Sequence, residues 1–223
     1  MVDLMQFIDS LSAEGTTLIL LLFTALVFGF LIGRIKAYVF QNRGEALLSS
    51  KIKQKFPPPD YHLLNHVTLP TKDGSTQIDH ILVSRYGVFV IETKNYKGWI
   101  FASENARQWT QVLYNTKFRF QNPLRQNYKH LCVVRELLDF LPPENINPAV
   151  VFTGDASFKK GIPDGVFTLS DFLDYVTSRP TEVMSLNRVQ FCVGRLEMNR
   201  YSVTKETDLQ HISNLRRRYG DFK

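Results

Sequence analysis

Residues 16–33 read TTLILLLFTALVFGFLIG, a run without a charged residue. Its length reaches the lower edge of the ~17–25 residues that an apolar helix needs to cross a bilayer. A buried core helix usually keeps a polar face, whereas here only Thr and Gly interrupt the apolar residues. A cleaved signal peptide would call for a positive start, a shorter apolar run and a small-residue cleavage site, and the segment reads otherwise. Asp3, Asp9 and Glu14 precede the run, and Arg34, Lys36 and Arg43 follow it. By the positive-inside rule the C-terminal side faces the cytoplasm. The expectation is a single-pass transmembrane helix over 16–35 in the plasma (inner) membrane, after a short extracytoplasmic N-terminus over 1–15.

The chain of 223 residues has room for one well-packed domain beside that helix. Hydrophobic residues make up 44% and charged residues 22%, which excludes wholesale disorder. The formal net charge is +6, and residues 1–33 hold acids but no Lys or Arg, so the remainder is more basic still. Such a surface attracts a polyanion, either nucleic acid or anionic lipid. Cys132 and Cys192 form neither a disulfide framework nor a metal quartet, and read as small buried apolar residues in a reducing compartment. His62, His66, His80, His130 and His211 do not fall at zinc-ligand spacing.

A short helical pattern starts at Gly44-Glu45-Ala46-Leu47-Leu48 and must stop before Pro57-Pro58-Pro59. Strand patterns follow over 61–69, 77–84 and 88–93, separated by Lys72-Asp73-Gly74-Ser75 and Arg85-Tyr86-Gly87, which predicts an antiparallel meander. Further short strands are expected over 98–102 and 108–113. Pro123 opens a helix through Phe140, with Leu124, Tyr128, Leu131, Val134 or Arg135, and Leu138 as its core stripe. Residues 149–153 read as a buried parallel strand beyond that crossover. Residues 165–169 resemble another strand, and Ser170 is the expected cap of a helix from Asp171. The expected domain spans 41–180, followed over 181–223 by a mostly helical extension that packs on it.

Along Gln77-Ile78-Asp79-His80-Ile81-Leu82-Val83-Ser84, odd positions share one face. In the next strand Val88, Val90, Glu92 and Lys94 also share a face. If Ser84-Arg85-Tyr86-Gly87 forms the loop, Val83 opposes Val88 and Asp79 opposes Glu92, with Gly87 suited to a left-handed position. Opposed Cβ atoms lie ~4.5–5.5 Å apart, so both carboxylates would face one cation. Two like charges amid Val and Ile destabilise a sheet unless something positive lies between them. Mg²⁺ or Mn²⁺ suits such hard oxygen ligands, and Lys94 would then hold the attacking water or offset charge on a phosphate. Pattern alone leaves a second reading open, in which Glu92 and Lys94 form a solvated strand face and Asp79 pairs with an Arg. On a regular strand His80 points away from Asp79 and reads as a satisfied structural histidine.

The run Gln77-Ile78-Asp79-His80-Ile81-Leu82-Val83, then Gly87-Val88-Phe89-Val90-Ile91-Glu92-Thr93-Lys94-Asn95, then Gly98-Trp99-Ile100, resembles the NERD (nuclease-related) domain of the PD-(D/E)xK superfamily. Gly44-Glu45 resembles the family's start, Trp109 its mid-domain tryptophan, and Asn122-Pro123 with Gln126 its later helix. The resemblance implies an α/β (α+β-like) restriction-endonuclease-like core, a mixed central sheet flanked by helices. It implies that Asp79 and Glu92 bind the metal, that the Thr93 backbone carbonyl joins them, and that Lys94 supports the nucleophile. Glu45 matches the acid on the first helix, and Gln126 the polar helical residue that faces the site. Asp79 follows Ile78 where the superfamily pattern has proline, which leaves the ligand inventory intact.

Lys97, and Lys117 and Arg119 interleaved with Phe118 and Phe120, are candidates for contacting nucleic acid, although Phe118 and Phe120 equally suit an edge strand. Gly154-Asp155 reads as a strand-ending turn or a loop near the active edge. Leu215-Arg216-Arg217-Arg218-Tyr219 adds a basic cluster. The leading expectation is a membrane-anchored, divalent-metal-dependent nuclease that hydrolyses phosphodiester bonds, of DNA rather than RNA. The alternatives are a non-catalytic nucleic-acid-binding or membrane scaffold module that keeps the fold, and a protein whose basic face binds lipid.

Overall fold

The computed structural model describes residues 13–202 and residue 213, with the side chains of residues 13, 14, 16 and 33–42 outside that description. His211 and the 215–219 basic cluster also lie outside the described residues. The chain divides into two compact units, residues 1–42 and 43–223.

A helix, α1 (Ala13–Lys55), contributes to both units. In the first unit the large apolar side chains described from Leu18 to Ile32 are exposed. Among the described residues no helix is long and apolar enough to cross a membrane, so the expected transmembrane span at 16–35 is not shown. The short helix expected from Gly44 proves to be the C-terminal part of α1.

The second unit is built on a five-stranded sheet. β1 (Tyr61–Thr71), β2 (Gly74–Ser84) and β3 (Gly87–Lys94) form the expected antiparallel meander. The sheet continues in parallel through β7 (Ile146–Phe152) to β9 (Val166–Thr168), giving the order β1-β2-β3-β7-β9. Because β7 follows a helical crossover and is buried on both faces, its sequence lacks alternation. Helix α2 (Pro123–Leu137) and helix α4 (Leu186–Asn199) cover one face with Leu131, Val134, Val189, Cys192 and Leu196. The other face meets Leu48 and Ile52 of α1, and Phe172 and Val176 of helix α3 (Leu169–Thr177). Each large apolar side chain fully buried in these layers contributes ~1.5–3 kcal/mol.

A second sheet carries β4 (Gly98–Phe101), β5 (Gln108–Leu113), β6 (Thr116–Gln121) and β8 (Ala156–Phe158), in the order β6-β5-β4-β8. The parallel pair β3/β7 leaves the first sheet and continues as the parallel pair β4/β8 in the second. Gly154 lies at this crossing, where a Cβ would come 2.2 Å from the Tyr96 carbonyl oxygen. Here the turn at Gly154-Asp155 joins the two sheets, with Gly98 N–H donating to Asp155 O at 3.0 Å.

Several local expectations are corrected. Thr168, rather than Ser170, caps α3, its hydroxyl accepting from Asp171 N–H. Tyr128 is 61% exposed, and the buried stripe of α2 instead includes Asn127 and His130. Asn127 Nδ2 donates to Val90 O and Ala149 O, both at 3.0 Å, beside Pro148, which has no N–H to give. This bond pair ties α2 to the β3–β7 seam. Cys192 is buried and its thiol is pushed up to about 11 by desolvation, but Cys132 is exposed on the outer side of α2.

Candidate active site

The β2–β3 ladder runs from Ser84↔Gly87 through Val83↔Val88 to His80↔Ile91, the register the loop predicts. Arg85 and Tyr86 form the connection, and Gly87 sits at φ +133°. Asp79 would oppose Glu92 at the next position, but the ladder stops one pair short. Across β1 the pairing also skips one position, between Asn65↔His80 and Val67↔Ile78. The skipped residues are His66 and Asp79, and His66 has φ +50°. Both strands change sides at this break. Ile78 and Ile81 join the same core, as do Leu64 and Val67, which unbroken alternation forbids. Released from the ladder, the Asp79 side chain turns to the end of β3, where Oδ2 accepts the Thr93 N–H at 2.7 Å.

Glu92 and Lys94 lie on the β3 face that α2 covers. Lys94 Nζ donates to Glu92 Oε1 at 2.5 Å and to Gln126 Oε1 at 3.2 Å. The Glu92 side chain is 2% exposed and that of Lys94 14%, which excludes the solvated strand face. Gln126 is delivered by the start of α2. There Asn122 Oδ1 accepts from Leu124 N–H at 2.9 Å, and Pro123 occupies the first turn. Asn122 Nδ2 also donates to the carbonyls of Ser103, Glu104 and Ala106, so the same residue anchors the loop before β5.

Glu45 comes from α1. A Cβ on Gly44 would lie 2.5 Å from Thr153 Oγ1 and 2.6 Å from Asn95 Cβ, so glycine lets the helix approach the β3–β7 end closely. Glu45 is buried, with Oε2 3.6 Å from His66 Nδ1. Thr93 is fully buried between Glu92 and Lys94.

The electrostatics differ for the two carboxyl groups. Burial, then Glu92, then Glu45 push Asp79 well above the ordinary carboxyl range, and the Thr93 hydrogen bond and Lys94 offset this incompletely. Burial pushes Glu92 upward too, but Lys94 and the His130 hydrogen bond outweigh it and hold Glu92 below its ordinary value. Burial opposes charge on Lys94, yet Glu92 and Asp79 hold its pKa above the usual value.

His130 and Thr76 are site neighbours that sequence reasoning passed over. His130 Nε2 lies 3.2 Å from Glu92 Oε2, and Nδ1 lies 2.8 Å from Thr76 Oγ1. A carboxylate can only accept, so Nε2 supplies the proton of its bond. The Thr76 hydroxyl can donate or accept and serves Nδ1 in either case. The available signal was spacing, since His130 is one helical turn beyond Gln126 and on its face. His80 stays outside this cluster. Its Nδ1 donates to Asn65 Oδ1 at 2.7 Å, but buried Nε2 has no partner among the described residues, so there it is only half satisfied. Burial, helped by His66, lowers its pKa to about 3.

Lys97, Lys117 and Arg119 are exposed and belong to the second sheet and the segment leading into it. Phe120 turns inward, with its ring 4.6 Å from that of Tyr96, as an edge strand allows. Among the described residues no group of three or more His, Cys, Asp or Glu is disposed to hold a metal.

Residues 41–153 match the nuclease-related domain family, a span that includes every residue of this cluster. The chain belongs to that family. The nuclease-related domain is part of the PD-(D/E)xK superfamily, as the resemblance of residues 77–100 implied. An uncharacterized protein of Bacillus anthracis is 44% identical over 108 residues, covering 47% of this chain and 51% of the relative. The chain thus spans about half the length of the curated relative it matches. No solved structure matches.

Proposed function

We propose that this nuclease-related protein is a divalent-metal-dependent phosphodiesterase that acts on nucleic acid, DNA in preference to RNA. The observation that carries the reading is the convergence of Asp79, Glu92, Lys94 and Gln126 at the end of β3. Membership of the nuclease-related domain family supports the reaction class.

The donor set suits Mg²⁺ or Mn²⁺. Asp79 and Glu92 place two carboxyl groups in one desolvated site, where burial first, then Glu92 and Glu45, push Asp79 upward. Ions of this kind take one or two carboxylates and keep several waters, so they do not require a cage of three protein side chains. Asp79 and Glu92, with the Thr93 carbonyl, are the proposed ligands, and Glu45 completes the acidic wall. When bound, the metal supplies a Lewis acid and an acidified water. Lys94 places a positive charge beside the reacting phosphate, and Gln126 fixes the direction of its ammonium. Glu92 is kept ionised by Lys94 and His130, whereas Asp79 is the acid whose charge a cation would restore.

The uncharged 16–33 run and the exposed apolar side chains of α1 support a tether to the plasma (inner) membrane. In this reading the N-terminus is outside and the catalytic unit in the cytoplasm. A second reading, a binding module without turnover, draws support from Lys94, which already neutralises Glu92.

The test incubates the full chain, in non-ionic detergent, with plasmid, linear DNA and RNA in Mg²⁺ or Mn²⁺, beside folded Asp79→Ala and Lys94→Ala. Cleavage by wild type that both variants lose is the expected result. Equal cleavage by all three would assign the activity to a contaminant, and salt-sensitive binding without cleavage would favour the module.

A further inference from the structure

The outward face of the second sheet gathers an aromatic ring and several cations that the acidic cluster does not use. Trp99 opposes Val112, which opposes Lys117, while Phe101 opposes Thr110, which opposes Arg119. Opposed residues share a face, and alternation puts Ile100 and Trp109 on the other one, in the core. Trp99 is 52% exposed and Trp109 1% exposed. Lys159 Nζ stands 4.5 Å from the centre of the Trp99 ring. Strands β4, β5 and β6 contain no Asp or Glu. At the β5–β6 tip Tyr114 is 93% exposed with φ +53°, a conformation that a bulky side chain rarely adopts and that no burial here offsets.

We propose that this face binds a single-stranded stretch of nucleic acid, with an unpaired base stacked on Trp99 and its neighbouring phosphates on Lys117, Arg119 and Lys159. The proposal rests on the nucleic-acid reading above and specifies its substrate class. Charge decides for a polyanion, because the face is basic without an acid on its three strands. The aromatic ring decides for an unpaired strand, because a duplex hides the base faces that stack on aromatic side chains. An exposed cation–π contact is weaker than stacking of a base, so a base displaces the Lys159 ammonium towards a phosphate. The basic residues expected to interleave with Phe118 and Phe120 instead share their face with Trp99, two strands away. The chain from Lys94 to Trp99 spans at most ~18 Å, so a strand held on Trp99 reaches the acidic cluster within a few nucleotides.

The full chain in non-ionic detergent, with EDTA to prevent cleavage, is titrated with oligo(dT) and with a duplex of equal length. Both tryptophans emit, but quenching by a stacked base reports Trp99, since Trp109 is buried out of its reach. Oligo(dT) is expected to quench the emission and to bind about 10-fold tighter than duplex. Trp99→Ala, checked for folding by circular dichroism, is expected to weaken labelled oligo(dT) about 10-fold. Lys117→Ala with Arg119→Ala is expected to flatten the salt dependence by about 1.4. Unchanged oligo(dT) affinity in both variants, or equal quenching by duplex, overturns the proposal. Quenching by anionic vesicles but not by oligo(dT) overturns it as well, and makes the face a lipid surface. Binding through Trp99 without cleavage in Mg²⁺ would remove the nuclease reading and leave this surface standing. Cleavage of single strands that ignores Trp99→Ala would do the reverse.

Discussion

His130 Nε2 lies 3.2 Å from Glu92 Oε2, on the carboxylate oxygen that Lys94 does not hold. The two contacts fix the plane of a carboxylate that is itself almost wholly buried, and Thr76 fixes His130 in turn. Partners that orient a ligand of this kind are worth about 10–100-fold in metal affinity or activity. On the proposal that Glu92 holds the metal, His130→Ala is expected to lower cleavage and Mg²⁺ affinity by that factor. His130→Gln, which keeps a donor, recovers part of both. Titration of Mg²⁺ in a cleavage assay checks this, and wild-type metal dependence in His130→Ala would reject the positioning role.

Asp79 carries a different prediction, one about stability. Its folded pKa is raised above the unfolded value, first by burial and then by Glu92 and Glu45. A raised pKa means that the folded chain binds the proton more tightly than the unfolded one. The associated stability is complete below the ordinary carboxyl pKa and is lost as pH rises through the folded one. As pH rises above the ordinary carboxyl range the metal-free protein thus loses the stability that a protonated Asp79 gives. Asp79→Asn, which can still accept the Thr93 N–H, should unfold at a temperature equal to or above wild type without metal. It should also lack the stabilisation by Mg²⁺ that the proposed metal site predicts for wild type. Thermal unfolding against pH, with and without Mg²⁺, is the measurement. A variant less stable than wild type at neutral pH, yet still stabilised by Mg²⁺, contradicts both parts.

Gly44 and Gly194 separate a glycine needed for close approach from one that is not. At Gly44 a Cβ would meet Thr153 Oγ1 and Asn95 Cβ at 2.5 and 2.6 Å, whereas at Gly194 nothing among the described residues lies within 4 Å. Gly44→Ala must shift α1 against the strand ends and should cost ~1–3 kcal/mol. Gly194→Ala, inside α4, should stabilise by about 0.5–1 kcal/mol through helix propensity alone. Urea unfolding of the two variants gives opposite signs if this account holds.

The hairpin was legible because two-residue alternation and the Arg85-Tyr86-Gly87 turn fix a register, and the register carries Asp79 towards Glu92. The break at His66 and Asp79 was not legible. It depends on a positive φ at a histidine, and no glycine marks the place where both strands change sides. Gln126 is implied by the family resemblance, whereas nothing in the sequence assigns His130 to the site, because a lone helical histidine fits a core position equally well. Tyr128 was misplaced because an aromatic at helical spacing resembles core, while the α2 face is in fact turned by its polar anchor Asn127. The outward face of the second sheet was hidden for a further reason. Trp99, Lys117 and Arg119 come from strands whose pairing local periodicity does not specify.

The Glu92–Lys94 pair makes the sharpest quantitative test, because the two residues are buried together and each one's charge depends on the other. Lys94→Met leaves a carboxylate at 2% exposure without its main counter-charge, and removing one partner of such a pair ordinarily costs ~3–5 kcal/mol. Glu92→Gln with Lys94→Met removes both charges and keeps a polar group for His130, so the double variant should be more stable than Lys94→Met alone. The sign of the pH effect follows from the lowered Glu92 pKa. Wild type has this stability above the ordinary carboxyl value and loses it as pH falls through the folded one, and the double variant should lack that acid-side loss. Under the proposed mechanism both variants should be inactive, since each lacks the Lys94 charge assigned to the phosphate. A double-mutant cycle from urea unfolding at neutral pH measures the coupling, and additive losses would mean that Glu92 and Lys94 do not act as one unit.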